Sequence, residues 1–428
     1  MNSNNELTHL VLITDGYPYG PGEKPFASPE LLALTEEYHV TLVAFASDEQ
    51  IAQHGLVSDL PSEVELVTYV RPSFKGVSTL AYLPHALGGV FSGIFWRELC
   101  QLVSDGFSVP RLLDSIKQYA LASHFRAFCK GIGLFGDADQ ALYFTFWFGP
   151  QLLALALERS RRQGMRLVSR IHGYDLYNER NPHGRQPFQR LKRDSCARIL
   201  FVAEASRHYF ANAFGHELFP GQYVTNRLGV SKRINFEQLE ERCSLGPERP
   251  FTIVSCSSVI PLKRVGLIAG ALKLLPDLDI HWVHFGDGPL LEDIRRMVAD
   301  SDIRADFMGS VPNEDVLTHY ADHRPGCLIL VSETEGCPVC VQEALSFGMP
   351  IIVTDVGGVS ETFSGNGVLL PAQSTADDVA QAIREVVLAP PVLWTSWSRA
   401  SYRLWSERFD LHRNKRALLD CLSEVSHN

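Results

Sequence analysis

The chain has 428 residues, 45% hydrophobic and 21% charged, the balance of a soluble globular protein too long for one core, so two domains of about 200 residues each are expected. A formal net charge of −10 argues against nonspecific nucleic-acid binding, which needs a basic face, while leaving room for a local basic cleft. The nine cysteines are scattered, and the opening Met1-Asn-Ser-Asn-Asn-Glu6 lacks a charged start followed by an apolar run, which together suggest free thiols and a cytoplasmic protein.

Leu10–Ile13 reads as a first buried strand. It runs into Thr14-Asp-Gly-Tyr-Pro-Tyr-Gly-Pro-Gly-Glu-Lys24, whose glycines, Gly20 and Gly22 among them, can bring backbone close to a ligand. An ordinary surface turn would have the same composition. Ser28 starts a helix with Pro29 at its first position and Tyr38 at its end. Strand, glycine loop and helix form the ligand-facing edge of an open α/β sheet. His39–Ala46 and Val64–Val70 are the next strands.

Residues 77–96 contain no Asp, Glu, Lys or Arg. A helix of that length would span a bilayer, but Pro84, His85, Gly88, Gly89 and Gly93 weaken a span. The alternatives are a pair of apolar helices that line a pocket or touch a membrane surface, and a buried helical hairpin. Ala141–Phe148 and Arg166–Ile171 are strands. The second ends in Arg170-Ile-His-Gly-Tyr-Asp-Leu-Tyr177, placing His172 where open α/β sheets bind their ligands, with Arg170 and Asp175 as further candidates. Arg198–Val202 is another strand, and a polar stretch with Gly246, Pro247 and Pro250 marks a linker.

The strand–helix alternation then repeats. Phe251–Cys256 is followed by a loop ending in Lys263 and Arg264, then a helix, Val265–Leu275. Ile280–Phe285 leads to Gly286-Asp-Gly-Pro-Leu290. This is not a dinucleotide fingerprint, because Leu291 stands where the third glycine belongs and no acidic ribose reader follows. Phe307–Val311 is a strand end. Ser364–Pro371 completes the sheet, and 376–388 and 394–425 are helical. Asp137-Ala-Asp139 and Asp277-Leu-Asp279 precede strands instead of following them, so they read as solvated turns, and no metal is expected.

The most informative stretch is 327–358. Cys327–Val331 is a buried strand, followed by a loop with Glu333, Glu335 and Gly336. Pro338 suits the first position of a helix, Gly348 can close that helix in the left-handed conformation, and Pro350 prevents its return. Ile351–Thr354 and Asp355-Val-Gly-Gly358 follow. The helix N-terminus near Gly336, Cys337 and Pro338 offers N–H groups and a positive dipole end to an anion. Glu335 and Glu343 flank that position, and two carboxylates beside an anion site suit a ligand carrying both a diphosphate and sugar hydroxyls. Cys337 and Cys340 have redox-like or metal-like spacing, but no second pair completes a site, so they read as small buried residues.

Glu335-Gly-x-Pro-x-x-x-x-Glu343-Ala-x-x-x-Gly348-x-Pro350, with Thr354-Asp-x-Gly-Gly358 and Glu361, resembles the E-x7-E signature of the retaining glycosyltransferases of family four. The resemblance implies a GT-B fold: two facing Rossmann-like domains and a C-terminal helix crossing back to the first. The domains fall at 1–232 and 250–396, with a linker at 233–249 and the helix at 397–428, anchored by Trp405 and Phe409. It implies a nucleotide-sugar donor, a saccharide or lipid-linked acceptor, no metal or other cofactor, and a role in bacterial surface-polysaccharide synthesis. In such enzymes Glu335 would fix the sugar and Glu343 the ribose. Lys263, aided by Arg264, would hold the diphosphate, and His172 would reach the sugar. Gly286 belongs to the family's Gly-x-Gly-Pro turn, and Val311 lies at a strand end facing the base. Ser258 stands where the family most often has an Arg, a departure that Arg264 would have to offset. A nucleotide-sugar epimerase and a silent binding subunit are the rival readings, and contact of 77–96 with the inner membrane face accompanies the main one.

Overall fold

The computed structural model describes residues 7–20, 22–56, 60–74, 76–136 and 138–427. Met1–Glu6, Pro21 of the glycine loop and Asp137 of the first Asp-x-Asp pair lie outside the described residues. The chain divides into two compact units, Met1–Asn226 with Lys415–Asn428, and Arg227–Asn414.

The first unit is built on strands β1 (Thr8–Thr14), β2 (Tyr38–Ser47), β3 (Glu65–Arg71), β4 (Leu142–Thr145), β5 (Arg166–Ile171), β6 (Arg198–Phe201) and β7 (Tyr223–Thr225). They form one parallel sheet in the order β3-β2-β1-β4-β5-β6-β7. Both faces are covered, which is why its strands read as unbroken apolar runs. Alternate residues of β1 serve opposite cores: Val11 and Ile13 pack with the long helix Val109–Gly131, Leu10 and Leu12 with the helix Lys24–Glu37.

That second core is completed from the far end of the chain. Leu418, Leu422 and Val425, on one stripe of the helix Leu411–His427, pack among Leu10, Leu12 and Leu142. Trp405 and Phe409, expected to be its anchors, are buried in the second unit, where the Trp405 indole donates to the carbonyl of Val230 at 3.2 Å. The expected continuous helix from 394 is broken at Asp410, whose backbone is extended and whose carboxylate accepts the Arg413 N–H at 2.9 Å, capping a new helix.

The second unit has β8 (Phe251–Cys256), β9 (Ile280–Phe285), β10 (Arg304–Gly309), β11 (Cys327–Leu330), β12 (Ile351–Thr354) and β13 (Gly367–Leu370), parallel in the order β10-β9-β8-β11-β12-β13. In each sheet the order reverses beside the unit's first strand, between β1 and β4 and between β8 and β11. Such reversal points open a crevice at the carboxyl ends of the strands.

Three local expectations change. The first helix begins at Lys24, with Pro25 and not Pro29 in its first turn; Pro29 lies inside it. Residues 233–249 contain a helix, Phe236–Leu245, closed by an Asn235/Gln238 capping box and burying Leu239, Arg242 and Cys243; their polarity is that of its outer face. Residues 77–96 do form short helices, including Leu83–Gly89 and the start of Gly93–Ser104, but they are not a buried hairpin, because Leu80, Leu83, Leu87, Val90, Phe91 and Trp96 are exposed.

Candidate functional site

The reversal point of the second sheet brings Lys263 and Glu335 together. The loop after β8 ends in a 3-10 turn, Pro261–Lys263, and the loop after β11 carries Ser332 and Glu335. Because β8 and β11 are neighbours, their loops meet. The Lys263 ammonium is paired with the Glu335 carboxylate, which also accepts from the Ser332 hydroxyl at 2.7 Å. Glu335 is buried, and the Lys263 side chain is 19% exposed. The Glu335 carbonyl takes the N–H of Gly358 at 3.3 Å, tying the glycine turn after β12 to the same loop.

Gly336, Cys337 and Pro338 lead into the helix Val339–Ser346, with Pro338 one position earlier than expected, at the N-cap. Gly348 closes the helix with a φ of +65°. The first-turn N–H groups of any helix have no acceptor within it, which makes this end an anion-facing element. Glu343 lies inside the helix and is buried. Its carboxylate accepts from the Asn313 side-chain amide at 2.9 Å, and burial raises its pKa to about 7, against the lowering influence of Asn313 and Arg233. Asn313 and Arg233 did not stand out in the sequence; the distance between these segments along the chain hides them.

Arg264 does not sit as expected. It has a left-handed backbone, φ +49°, and its guanidinium donates to the carbonyls of Val331 at 2.7 Å, Ser332 at 3.3 Å and Ala372 at 2.9 Å. A fork engaged with three carbonyls holds the end of β11 in place and is not an open phosphate clamp. Gly286 is demanded by packing: a Cβ there would stand 1.9 Å from the Ser257 carbonyl oxygen at φ +139°, and its N–H bonds the Gly309 carbonyl at 2.8 Å. Val311 follows β10 in a half-buried loop. Cys337 is buried and its thiol pushed up to about 12, and burial likewise raises that of Cys340, as unreactive structural thiols require. Among the described residues no cluster of three His, Cys, Asp or Glu is arranged to hold a metal ion.

His172, Gly20 and Gly22 belong to the first unit. His172 follows β5 and starts the short helix Gly173–Leu176. Its Nε2–H donates to the Phe146 carbonyl at 3.1 Å and its ring lies 4.4 Å from that of Trp147. Burial drives its pKa down to about 3, with Arg170 adding to the effect, so the imidazole is neutral and Nδ1 carries the lone pair. Arg170 and Asp175 are framework. Arg170 pairs with Glu30 at 2.6 Å and bonds Asn226 at 2.7 Å; Asp175 accepts the N–H groups of His172 at 2.7 Å and Phe148 at 2.5 Å. Burial raises the carboxyl of Asp175 and lowers the ammonium of Lys192 beside it.

Among the described residues no atom lies within 4 Å of where a Cβ on Gly20 or Gly22 would stand, and neither glycine is in the left-handed region, so the described fold does not demand glycine there. Glu23 ends their loop. It is buried and accepts from Tyr17 N–H at 2.8 Å, Asp15 N–H at 3.2 Å and the Trp147 indole. A cavity of ≈570 Å³ opens at the carboxyl ends of β1 to β4, lined by Asp15, Arg71, Lys117, Trp147, Gln151 and Tyr174 among others. Aromatic faces mixed with amides and charges are the chemistry of a saccharide site. Trp147 and Gln151 were not legible as site residues, because nothing in the sequence distinguishes them from core.

Two parallel α/β units with this strand order define the GT-B fold, and solved structures bear this out. Sucrose-phosphate synthase from Thermosynechococcus elongatus superposes with a TM-score of 0.68 at 14% identity, covering 98% of this chain and 99% of that one. HepE from Anabaena, in complex with UDP and glucose, gives 0.64 at 14%, covering 97% and 99%. Residues 250–388 match the family described as glycosyl transferases group 1. The chain is 30% identical over 261 residues to a GDP-mannose-dependent alpha-(1-6)-phosphatidylinositol monomannoside mannosyltransferase of Mycobacterium tuberculosis, over 57% of this chain and 66% of the relative, just under two thirds of its length. It is also 30% identical over 163 residues to the O-antigen biosynthesis glycosyltransferase WbnH of Escherichia coli, over 38% and 42%.

Proposed function

We propose that this protein transfers a hexosyl group from a nucleoside diphosphate sugar to a hydroxyl of a saccharide or lipid-linked saccharide, with retention at the anomeric carbon, in the synthesis of a surface polysaccharide. The observation that carries the reading is the pairing of Lys263 with Glu335 at the reversal point of β8 and β11, inside the stretch that matches the glycosyltransferase family. Departure of the nucleotide leaves negative charge on its diphosphate. Lys263 and the N-terminus of the helix Val339–Ser346 are the groups of this unit suited to stabilise that charge. On donor binding Lys263 turns to the diphosphate, and Glu335, oriented by Ser332, accepts hydrogen bonds from sugar hydroxyls. Glu343 takes the ribose. His172 contributes a neutral imidazole to the sugar, and Gly20 and Gly22 leave room for the substrate to approach backbone.

The cavity at the carboxyl edge of the first sheet takes the acceptor. The mannosyltransferase and O-antigen relatives support a lipid-linked or polysaccharide acceptor, and the HepE structures, in complex with UDP and with UDP-glucose, support a nucleotide-sugar donor. No helix among the described residues is long and apolar enough to cross a membrane, and we place the enzyme at the inner membrane face through 77–96. The reaction uses no metal, so chelator leaves the rate unchanged.

The test has two stages. A thermal-shift screen against nucleotide sugars identifies the donor by the rise in melting temperature. Transfer is then measured with Glu335→Ala and Lys263→Ala, each expected to lose at least about a thousandfold in kcat while remaining folded. Full activity in either variant overturns the assignment. Conversion of the donor without any acceptor would instead mark an epimerase, and donor binding without turnover a silent subunit.

A further inference from the structure

The first unit has a second cavity, ≈680 Å³, away from the one assigned to the acceptor. It lies between the turn joining Leu83–Gly89 to Gly93–Ser104 and the helices Val109–Gly131 and Pro150–Arg159. Its lining includes three guanidinium side chains, Arg97, Arg126 and Arg161, and no carboxylate. Beside it Arg126, Lys130 and Arg162 share one carboxylate, Glu158, at 3.4, 3.6 and 3.2 Å, and that carboxylate is almost wholly buried. The Arg126 Nε–H has no acceptor among the described residues. In a chain of net charge −10 this is a concentrated excess of positive charge.

The rim of the cavity is apolar. Phe91, one of its lining residues, is 90% exposed, and Leu87 and Val90 beside it are 58% and 54% exposed. Leaving such side chains in water is unfavourable, and they stand where arginines can reach past them. An aromatic wedge with a cationic socket behind it complements one kind of surface, a bilayer presenting anionic headgroups.

We propose that this cavity seats the phosphate of an anionic phospholipid while Phe91 and its neighbours enter the acyl boundary. The inference deepens the membrane contact proposed above and rests on it. It adds the lipid class and the residues that select it, and it is independent of donor binding by the second unit.

The protein is sedimented with vesicles of phosphatidylcholine alone and with vesicles containing about a third phosphatidylglycerol. The expected partition is at least about tenfold higher on the anionic vesicles, and salt of about 0.5 M removes the preference. Arg97→Glu combined with Arg161→Glu, both exposed positions, lowers anionic binding to the phosphatidylcholine level. Phe91→Ser weakens binding to both compositions and keeps the preference. Far-UV spectra and melting confirm that the variants fold. Equal partition of the parent on both compositions, or unchanged partition of the double variant, overturns the headgroup site while leaving a membrane contact. Absence of binding to either vesicle overturns both.

Discussion

Each unit puts an acid beside the reversal point of its sheet, one after the first strand and the other after the strand across from it, and the two acids are used differently. In each parallel sheet the strand order reverses beside the first strand, and a loop there carries a buried glutamate, Glu23 in one unit and Glu335 in the other. Glu23 is held by backbone N–H groups of its own loop and by the indole of Trp147, so its charge fixes the loop. Glu335 is paired with a lysine whose side chain is still reached by solvent. The cations differ in the same way. Arg170 is fully buried against Glu30, whereas Lys263 stands at a mouth. Common topology supplies the crevice; what decides whether a charge there is scaffold or chemistry is whether its partner can be exchanged for a ligand.

The sharpest break of that comparison is to remove the two cations separately. Arg170→Ala leaves Glu30 charged and buried, and the expected cost is about 3–5 kcal/mol, read as a large fall in denaturation midpoint or loss of folded protein. Lys263→Ala also leaves a buried carboxylate, but one that keeps the Ser332 hydroxyl and lies behind a side chain reached by solvent, so a smaller cost, about 1–3 kcal/mol, is expected together with loss of transfer. Similar stability losses for both would mean that the pairs are equivalent and the contrast false.

Glu343→Gln sharpens it next. The folded protein holds this carboxyl at about 7, above its ordinary value near 4.5. A raised acid pKa means that the folded state binds the proton more tightly, so its stabilisation is full below pH 4.5 and is lost as pH rises to about 7. The glutamine variant is therefore expected to gain on the parent between pH 5 and pH 8 by up to about 3 kcal/mol in denaturant titrations. A gain that does not vary with pH would show that Glu343 is charged throughout.

The smallest effect separates frame from site within one loop. Arg264→Lys loses a planar fork and is expected to cost about 1 kcal/mol of stability, with donor affinity changed less than twofold. A tenfold loss of donor affinity would restore Arg264 to the phosphate site.

Much of this was legible along the chain. The apolar runs gave β5, β8, β9 and β12 to the residue, because strands covered on both faces carry no polar alternation to blur their ends. Gly336, Pro338, Gly348 and Pro350 announced a short helix between two strands because each satisfies a backbone requirement that few residues meet. The same local logic misled where two signals competed. Pro25 and Pro29 both suit a helix start, and the polar outer face of Phe236–Leu245 reads as a linker.

What the sequence alone determined was therefore most of the strands, their parallel arrangement and the segment holding Lys263, Glu335 and Glu343, since these follow from backbone conformation and local spacing. Only the tertiary structure decided which charges are committed. Arg264 to the carbonyls of β11, Arg170 to Glu30, Asp175 to the N–H groups around it and Lys263 to Glu335 are pairings between segments far apart in the chain, set by which strands lie side by side, and no local pattern encodes them.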